Sequence, residues 1–251
     1  MKLYAYCVSE DGGELVNKAL STGVGDSTVR WLKADQLIVA VSEVEGDTVA
    51  ITRENVLAHE RVIRRVLEYT TPLPFRFGTL VTETRLRSYL QTQQAALQSK
   101  LLLVDGCVEM GVKIIWQAHS TNKESQSEEL SATSPDGKQQ IEGAGSAFLL
   151  AKRQQVMGEK ILAEKAGEIA SWLNERIAAS IRKDQTSVRP DEKLVLTSAH
   201  LVERAGLEQY RRTLKQACSE RPELHFLTSG PWPPYSFVNI ELEFKTQFGV
   251  S

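Results

Sequence analysis

Three prolines within four positions constrain this chain more than any other feature. They lie in Gly230-Pro231-Trp232-Pro233-Pro234-Tyr235-Ser236-Phe237. Each proline fixes its own φ and removes a backbone donor, which excludes a helix interior or a central strand. A residue before proline is pushed toward extended geometry, so Gly230, Trp232 and Pro233 should be extended or turning. The expected result is a stiff, polyproline-like corner carrying Trp232, Tyr235 and Phe237. An apolar run, 224–228, precedes it. After it Val238, Ile240, Leu242 and Phe244 alternate with Asn239, Glu241 and Glu243. The pattern predicts strand, aromatic corner, strand.

The rest of the chain is long enough for two such units. At 251 residues it exceeds the usual size of one domain, and 41% hydrophobic with 25% charged residues is an ordinary globular balance. A net charge of -2 gives no general attraction to nucleic acid or anionic lipid. No apolar run approaches the roughly 20 residues that span a bilayer. The N-terminus has no secretory apolar core. Cys7, Cys107 and Cys218 are widely spaced and odd in number, as expected of reduced thiols in a cytoplasmic protein.

Taken in order, 3–8 reads as a strand and 14–20 as a brief helix. The runs 29–34 and 37–44 form a hairpin across Asp35-Gln36. A helix over 52–69 shows Val56, His59, Ile63, Val66 and Leu67 at helical spacing. Pro72 and Pro74 end it, and Phe75-Arg76-Phe77 is extended. Thr82 or Thr84 caps a helix running to about residue 102. Val108, Met110, Val112, Ile114 and Trp116 alternate in a clear strand. The stretch 119–143 is nearly free of large apolar residues, as expected of an exposed insertion. A long helical pattern covers 146–183, about 57 Å if continuous. An edge strand at 185–189, a strand at 193–202, a helix at 207–218 and a strand at 224–228 follow. The expected fold is α+β with two domains, 1–104 and 105–251. Each is a mostly antiparallel sheet with helices on one face, and the second is ferredoxin-like with a long helix.

No catalytic constellation stands out. His59, His119, His200 and His225 fall in four different elements, with no metal-ligand spacing and no cofactor motif. His59 reads as a core or domain-interface histidine, and Glu60 beside it faces another way on the helix. Arg61, Arg64, Arg65 and Arg76 read either as a basic patch near the Phe75-Arg76-Phe77 strand or, more plainly, as a solvated helix face with Arg76 paired to a carboxylate. Gly143-Ala144-Gly145-Ser146 lacks the lysine of a phosphate loop. For Trp232, Pro233, Pro234, Tyr235 and Phe237, and for Phe75, Arg76 and Phe77, two readings stand. They are core plugs, or they are a preorganised docking edge for a partner.

The stretch 228–237 resembles a Gly-Pro-Trp-Pro-Pro-Tyr-Ser-Phe signature of the gas vesicle protein F/L family (GvpF/GvpL), in its cyanobacterial F form. Leu3-Tyr4-Ala5-Tyr6, His59-Glu60-Arg61-Val62 and Leu73-Pro74-Phe75-Arg76-Phe77-Gly78-Thr79 also resemble family segments. So does the stretch 145–153, with Phe148 in place of a tyrosine and Lys152 in place of an arginine. The resemblance implies an accessory or minor structural protein of gas vesicles, in the cytoplasm or on the vesicle, and not an enzyme. Its implied partners are the hydrophobic shell protein GvpA and other accessory proteins, with neither nucleic acid nor membrane. It implies help in nucleation or assembly by limiting shell-protein aggregation. The competing reading is a ferredoxin-like scaffold that binds a small ligand or assembles with itself.

Overall fold

The computed structural model describes residues 2–11, 13, 15–17, 20, 22–116, 143–188, 194–238 and 240, with backbone alone for 143–159. Two antiparallel sheets organise it. The first has strands β1 (Lys2–Glu10), β2 (Val29–Ala34), β3 (Leu37–Val44), β4 (Leu73–Pro74) and β5 (Leu80–Val81). Its order is β2-β3-β1-β4, with β5 also on β1. The β2–β3 turn is the two-residue one expected, with Asp35 at φ 52°.

Helix α1 (Arg53–Leu67) covers one face of this sheet, and α2 (Glu83–Thr92) with α3 (Gln94–Val104) the other. The first sheet is therefore covered on both faces, where helices on one face were expected. Its sequence shows why: β1 is buried continuously from Leu3 to Ser9, the mark of a strand with no solvent face. A register shift between Ala5 and Cys7 interrupts the β1–β3 ladder. Leu3, Ala5 and Val8 consequently join the α2/α3 core, while Tyr4, Tyr6 and Cys7 join the α1 core.

Helix α1 starts at Thr52, whose hydroxyl accepts from the Asn55 amide at 3.2 Å. Its buried face is Ala58, His59, Val62, Ile63, Val66 and Leu67. Val56 was expected on that face and instead stands exposed beside Leu57. The helix read as running to residue 102 breaks at Gln93 into α2 and α3; Thr82 caps α2. The brief helix near residue 15 is a single 3-10 turn, Leu15–Asn17.

The second sheet contains β6 (Cys107–Trp116), β7 (Lys183–Ser187), β8 (Leu194–Glu203) and β9 (Leu224–Trp232), in the order β7-β8-β6-β9. Helix α4 (Gly143–Ile177) connects β6 to β7, and α5 (Leu207–Glu220) connects β8 to β9. That order and connectivity form the split βαβ arrangement of a ferredoxin-like sheet. Both helices pack on one face, against Met110, Val112, Ile114, Leu196 and Val202. At 35 residues α4 is about 52 Å long. The polar insertion expected at 119–143 lies outside the described residues except for Gly143.

Strand β9 differs from expectation: it does not stop at Thr228 but continues through Gly230-Pro231-Trp232. It lies at the sheet's edge and pairs only with β6 among the described strands. An edge strand tolerates proline because its outward groups have no ladder partner to lose. Gly230 has φ +112°, and a Cβ there would sit 2.7 Å from the Glu109 carbonyl oxygen, so only glycine fits. Past the corner, Tyr235–Phe237 form a turn, and Val238 and Ile240 are not in a strand. The rest of the strand expected over 237–244 lies outside the described residues.

Candidate functional site

The proline corner faces inward, onto α1. Glu60 and Arg64 stand one helical turn apart, so they share a face of that helix. The Arg64 guanidinium lies 5.1 Å from the centre of the Trp232 ring, a cation–π contact. The Tyr235 hydroxyl donates to Glu60 Oε2 at 3.1 Å. Glu60 Oε1 lies 3.9 Å from Arg64 Nε. As a whole residue Tyr235 keeps 37% of its surface exposed. Its hydroxyl points the other way, and burial followed by the Glu60 charge pushes its pKa up. Burial likewise raises Glu60 above the ordinary carboxylate range, against the opposing pull of the Tyr235 hydroxyl and Arg64.

The next residue closes the corner on its own sheet. Glu109 of β6 is only 9% exposed. Its two carboxylate oxygens accept from the Ser236 amide and hydroxyl, each at 2.7 Å. Backbone bonds from Tyr235 to the Pro233 carbonyl and from Phe237 to the Pro234 carbonyl fold the turn. Val238 and Ile240 then enter the core formed by β1, β3, α2 and α3, along with Cys107 and Leu201. Residues from both sheets thus share one apolar cluster, and the corner holds them together.

Two arginines complete this join. Arg204 donates to the Leu67 carbonyl, to the Thr70 carbonyl at 3.1 Å and to the Thr71 hydroxyl at 3.2 Å. It thereby caps the C-terminal end of α1, where carbonyls lack helical partners and the dipole favours a cation. Burial draws its pKa down from the usual arginine value. The Thr71 hydroxyl donates onward to the Cys107 carbonyl at 2.8 Å. Arg182 does the same for α3, donating to the Leu103 and Asp105 carbonyls at 3.2 and 2.9 Å and pairing with Glu203.

The other candidate residues divide by burial. Phe75, Pro233 and Pro234 are buried, Phe77 is half-buried, and Arg76 is exposed. Phe77 sits edge-on to Tyr4 and His59. Only parts of Trp232, Tyr235, Phe237 and Phe77, with Arg76, meet solvent, and the buried members serve as their support.

Two buried histidines need a chemical account. Gly78 donates its amide to the Tyr4 hydroxyl at 3.0 Å, which leaves that hydroxyl to donate to His59 Nδ1, also at 3.0 Å. The His59 proton is then on Nε2, which makes no hydrogen bond. Burial lowers its pKa to about 4, with the Phe75 carbonyl nearby pulling weakly upward. The second histidine lies inside a longer relay. Tyr210 donates to His200 Nδ1 and His200 Nε2 to Ser198, each at 2.7 Å; Ser198 then bonds Thr186, and Thr186 donates to Asp184. One orientation of protons satisfies every member. Ser198 and His200 are 1% and 0% exposed, so this serine–histidine pair has no approach for a substrate. Burial lowers His200 to about 4 as well.

A sequence profile of the gas vesicle synthesis protein GvpL/GvpF family matches residues 2–239. The chain belongs to the GvpL/GvpF family. Gas vesicle protein F1 of Halobacterium salinarum is 24% identical, over 98% of this chain and 97% of that protein. Gas vesicle protein L1 of the same organism is also 24% identical, over 94% and 89%. Among solved structures, GvpF from Anabaena superposes with a TM-score of 0.71 at 18% identity, covering 96% of this chain and 97% of that one. GvpF from Microcystis aeruginosa gives 0.69 at 15% identity, covering 95% and 99%. These superpositions show that the two-sheet fold is shared. A gas vesicle role for this chain follows from its family.

The alternation of β6 and the aromatic corner were visible in the sequence. The arginine caps were not, because Arg182 and Arg204 lie in ordinary polar surroundings and find their carbonyls only in three dimensions. The His200 relay left a trace: Ser198 and His200 fall on the same side of a strand as Leu194 and Leu196. Polar residues at core-facing positions call for partners.

Proposed function

We propose that this GvpL/GvpF protein is a non-catalytic accessory or minor structural component of gas vesicles, resident in the cytoplasm and on the vesicle. It binds the hydrophobic shell protein GvpA, alone or with other accessory proteins, and limits its aggregation during nucleation and assembly. The observation that carries this reading is the family match along nearly the whole chain. The non-catalytic part draws support from the two histidines, which are neutral, buried and committed to internal bonds. Among the described residues no helix is long and apolar enough to cross a membrane.

The candidate corner residues enter this role chiefly as positioning groups. Trp232, Tyr235 and Ser236 fix β9 and its approach to α1, while the exposed edge of Tyr235 faces solvent. The test is co-expression with the shell protein, with the tag at either end of this chain. Recovery of a soluble complex is expected. A folded chain that leaves all the shell protein in the insoluble fraction, from either tag position, contradicts the proposal.

A further inference from the structure

The sheet edges of this protein are unequal. Strand β7 is five residues long with Lys183 and Asp184 on it; β2 carries Arg30 and Lys33; β4 and β5 are two residues each. Shortness and charge are the usual defences of an edge against pairing with another chain. Strand β9 runs nine residues, Leu-His-Phe-Leu-Thr-Ser-Gly-Pro-Trp, with no acidic residue, lysine or arginine. Its outer edge pairs with no described strand. On the face away from the helices, Leu227 is 46% exposed.

Beside that edge, on the helix face, lies a groove of about 420 Å³ between α5 and β9. Phe226, Met110, Leu214 and Cys218 give it an apolar floor, and Arg211 and Lys215 stand at its rim. Arg211 is held by Glu208 of its own helix at 2.6 Å; no described carboxylate pairs with Lys215. A strand added to β9 would turn alternate side chains to the same face as Phe226 and Thr228, which is into the groove.

We propose that the outer edge of β9, unpaired among the described strands, and the adjoining groove take up an extended segment of a partner protein as an added strand. The segment presents apolar side chains to the groove and, on the same face, a carboxylate side chain at its end to Arg211 and Lys215. Backbone pairing supplies the affinity, and the groove and rim supply the selectivity. A second copy of this chain fits less well. Pairing β9 with its own symmetry mate would bring two sets of Arg211 and Lys215 together, and the like charges would repel. Assigning the segment to the shell protein rests on the function proposed above; the edge and the groove stand without it.

The test therefore uses a synthetic probe. A fluorescent acetyl-Glu-Thr-Val-Thr-Val-Thr-Glu-amide peptide, whose valines and glutamates share one strand face, and its counterpart with lysine at both ends are titrated with the full chain. The wild type should bind the glutamate-ended peptide about five-fold more tightly, the upper end for a partly exposed charge pair. Lys215→Glu should invert that order. Leu227→Lys, at an exposed position, should weaken both peptides about ten-fold by charging the edge. Failure of the wild type to bind either peptide, or unchanged binding by Leu227→Lys, overturns the proposal. So does a wild-type dimer in sedimentation that Leu227→Lys abolishes, because the edge would then belong to a second copy. Since no shell protein is present, this result is separate from success or failure of the co-expression test.

Discussion

Acidification from pH 7 to pH 5 should destabilise this protein through His59 and His200 together. Both have folded pKa values lowered to about 4 from an ordinary 6.5, chiefly by burial. Above pH 6.5 neither the folded nor the unfolded chain binds the extra proton. Below it the unfolded chain takes up protons that the folded chain refuses, so stability falls until the folded value is reached. Integrating that linkage between pH 7 and 5 gives about 2 kcal/mol per histidine, or about 4 kcal/mol for the pair. That is a large part of a typical total of about 5–15 kcal/mol. Glu60 works against it: its folded pKa is raised by burial, so its contribution improves as pH falls. Asp11, Asp47 and Glu83 have lowered values, set first by hydrogen bonds from Lys33, Lys2 and Arg87. Their stabilising contributions are lost only as pH falls below the ordinary carboxylate range, outside this window. Urea denaturation followed by tryptophan fluorescence, at constant ionic strength, is the assay. With a slope of about 3 kcal/mol per molar urea, the midpoint should drop by about 1 M between the two pH values. His200→Gln should lower stability at pH 7 and halve the further drop. An unchanged wild-type midpoint, or a full-sized drop in both His200→Gln and His59→Gln, would refute the reasoning.

Substitutions at four other positions probe the join between the sheets by the same denaturation assay. Gly230→Ala should cost at least about 3 kcal/mol, because it combines φ +112° with a Cβ 2.7 Å from a carbonyl oxygen. Arg204→Met strips partners from the carbonyls of Leu67 and Thr70 and should cost about 2–4 kcal/mol, with Arg204→Lys recovering part. Glu109→Ala leaves the Ser236 amide and hydroxyl without their charged acceptor and should cost about 3 kcal/mol, whereas Tyr235→Phe should cost only about 1 kcal/mol.

The sequence revealed most where a single periodicity governed a single element. Met110, Val112, Ile114 and Trp116 alternate because that face of β6 packs on α4 and α5, and this alternation survives into the structure, while Cys107 to Met110 are buried continuously. β1 told less, because a strand covered on both faces has no alternation to read. The proline rule placed a turn after β9, which falls at Tyr235–Phe237, but it ended the strand at Thr228 when the strand runs to Trp232. It applies to central strands, and local sequence does not say which strand lies at an edge. Val56 fits helical spacing as well as Val62 does, and only the position of β1 beneath α1 decides between them. The aromatic corner left two readings open because aromatics suit both cores and interfaces. Arg64, Glu60 and Glu109, which receive it, lie 127 to 175 residues away from their partners in the case of the two carboxylates.

The central claim is that this folded chain keeps the gas vesicle shell protein from aggregating. The most direct measurement is the soluble fraction of shell protein when expressed alone, with the wild type, and with the folded variants Tyr235→Phe and Leu227→Lys. The account predicts a rise with the wild type that Tyr235→Phe preserves, since that hydroxyl faces inward, and that Leu227→Lys reduces. A soluble fraction no higher with the wild type than without it would contradict the account.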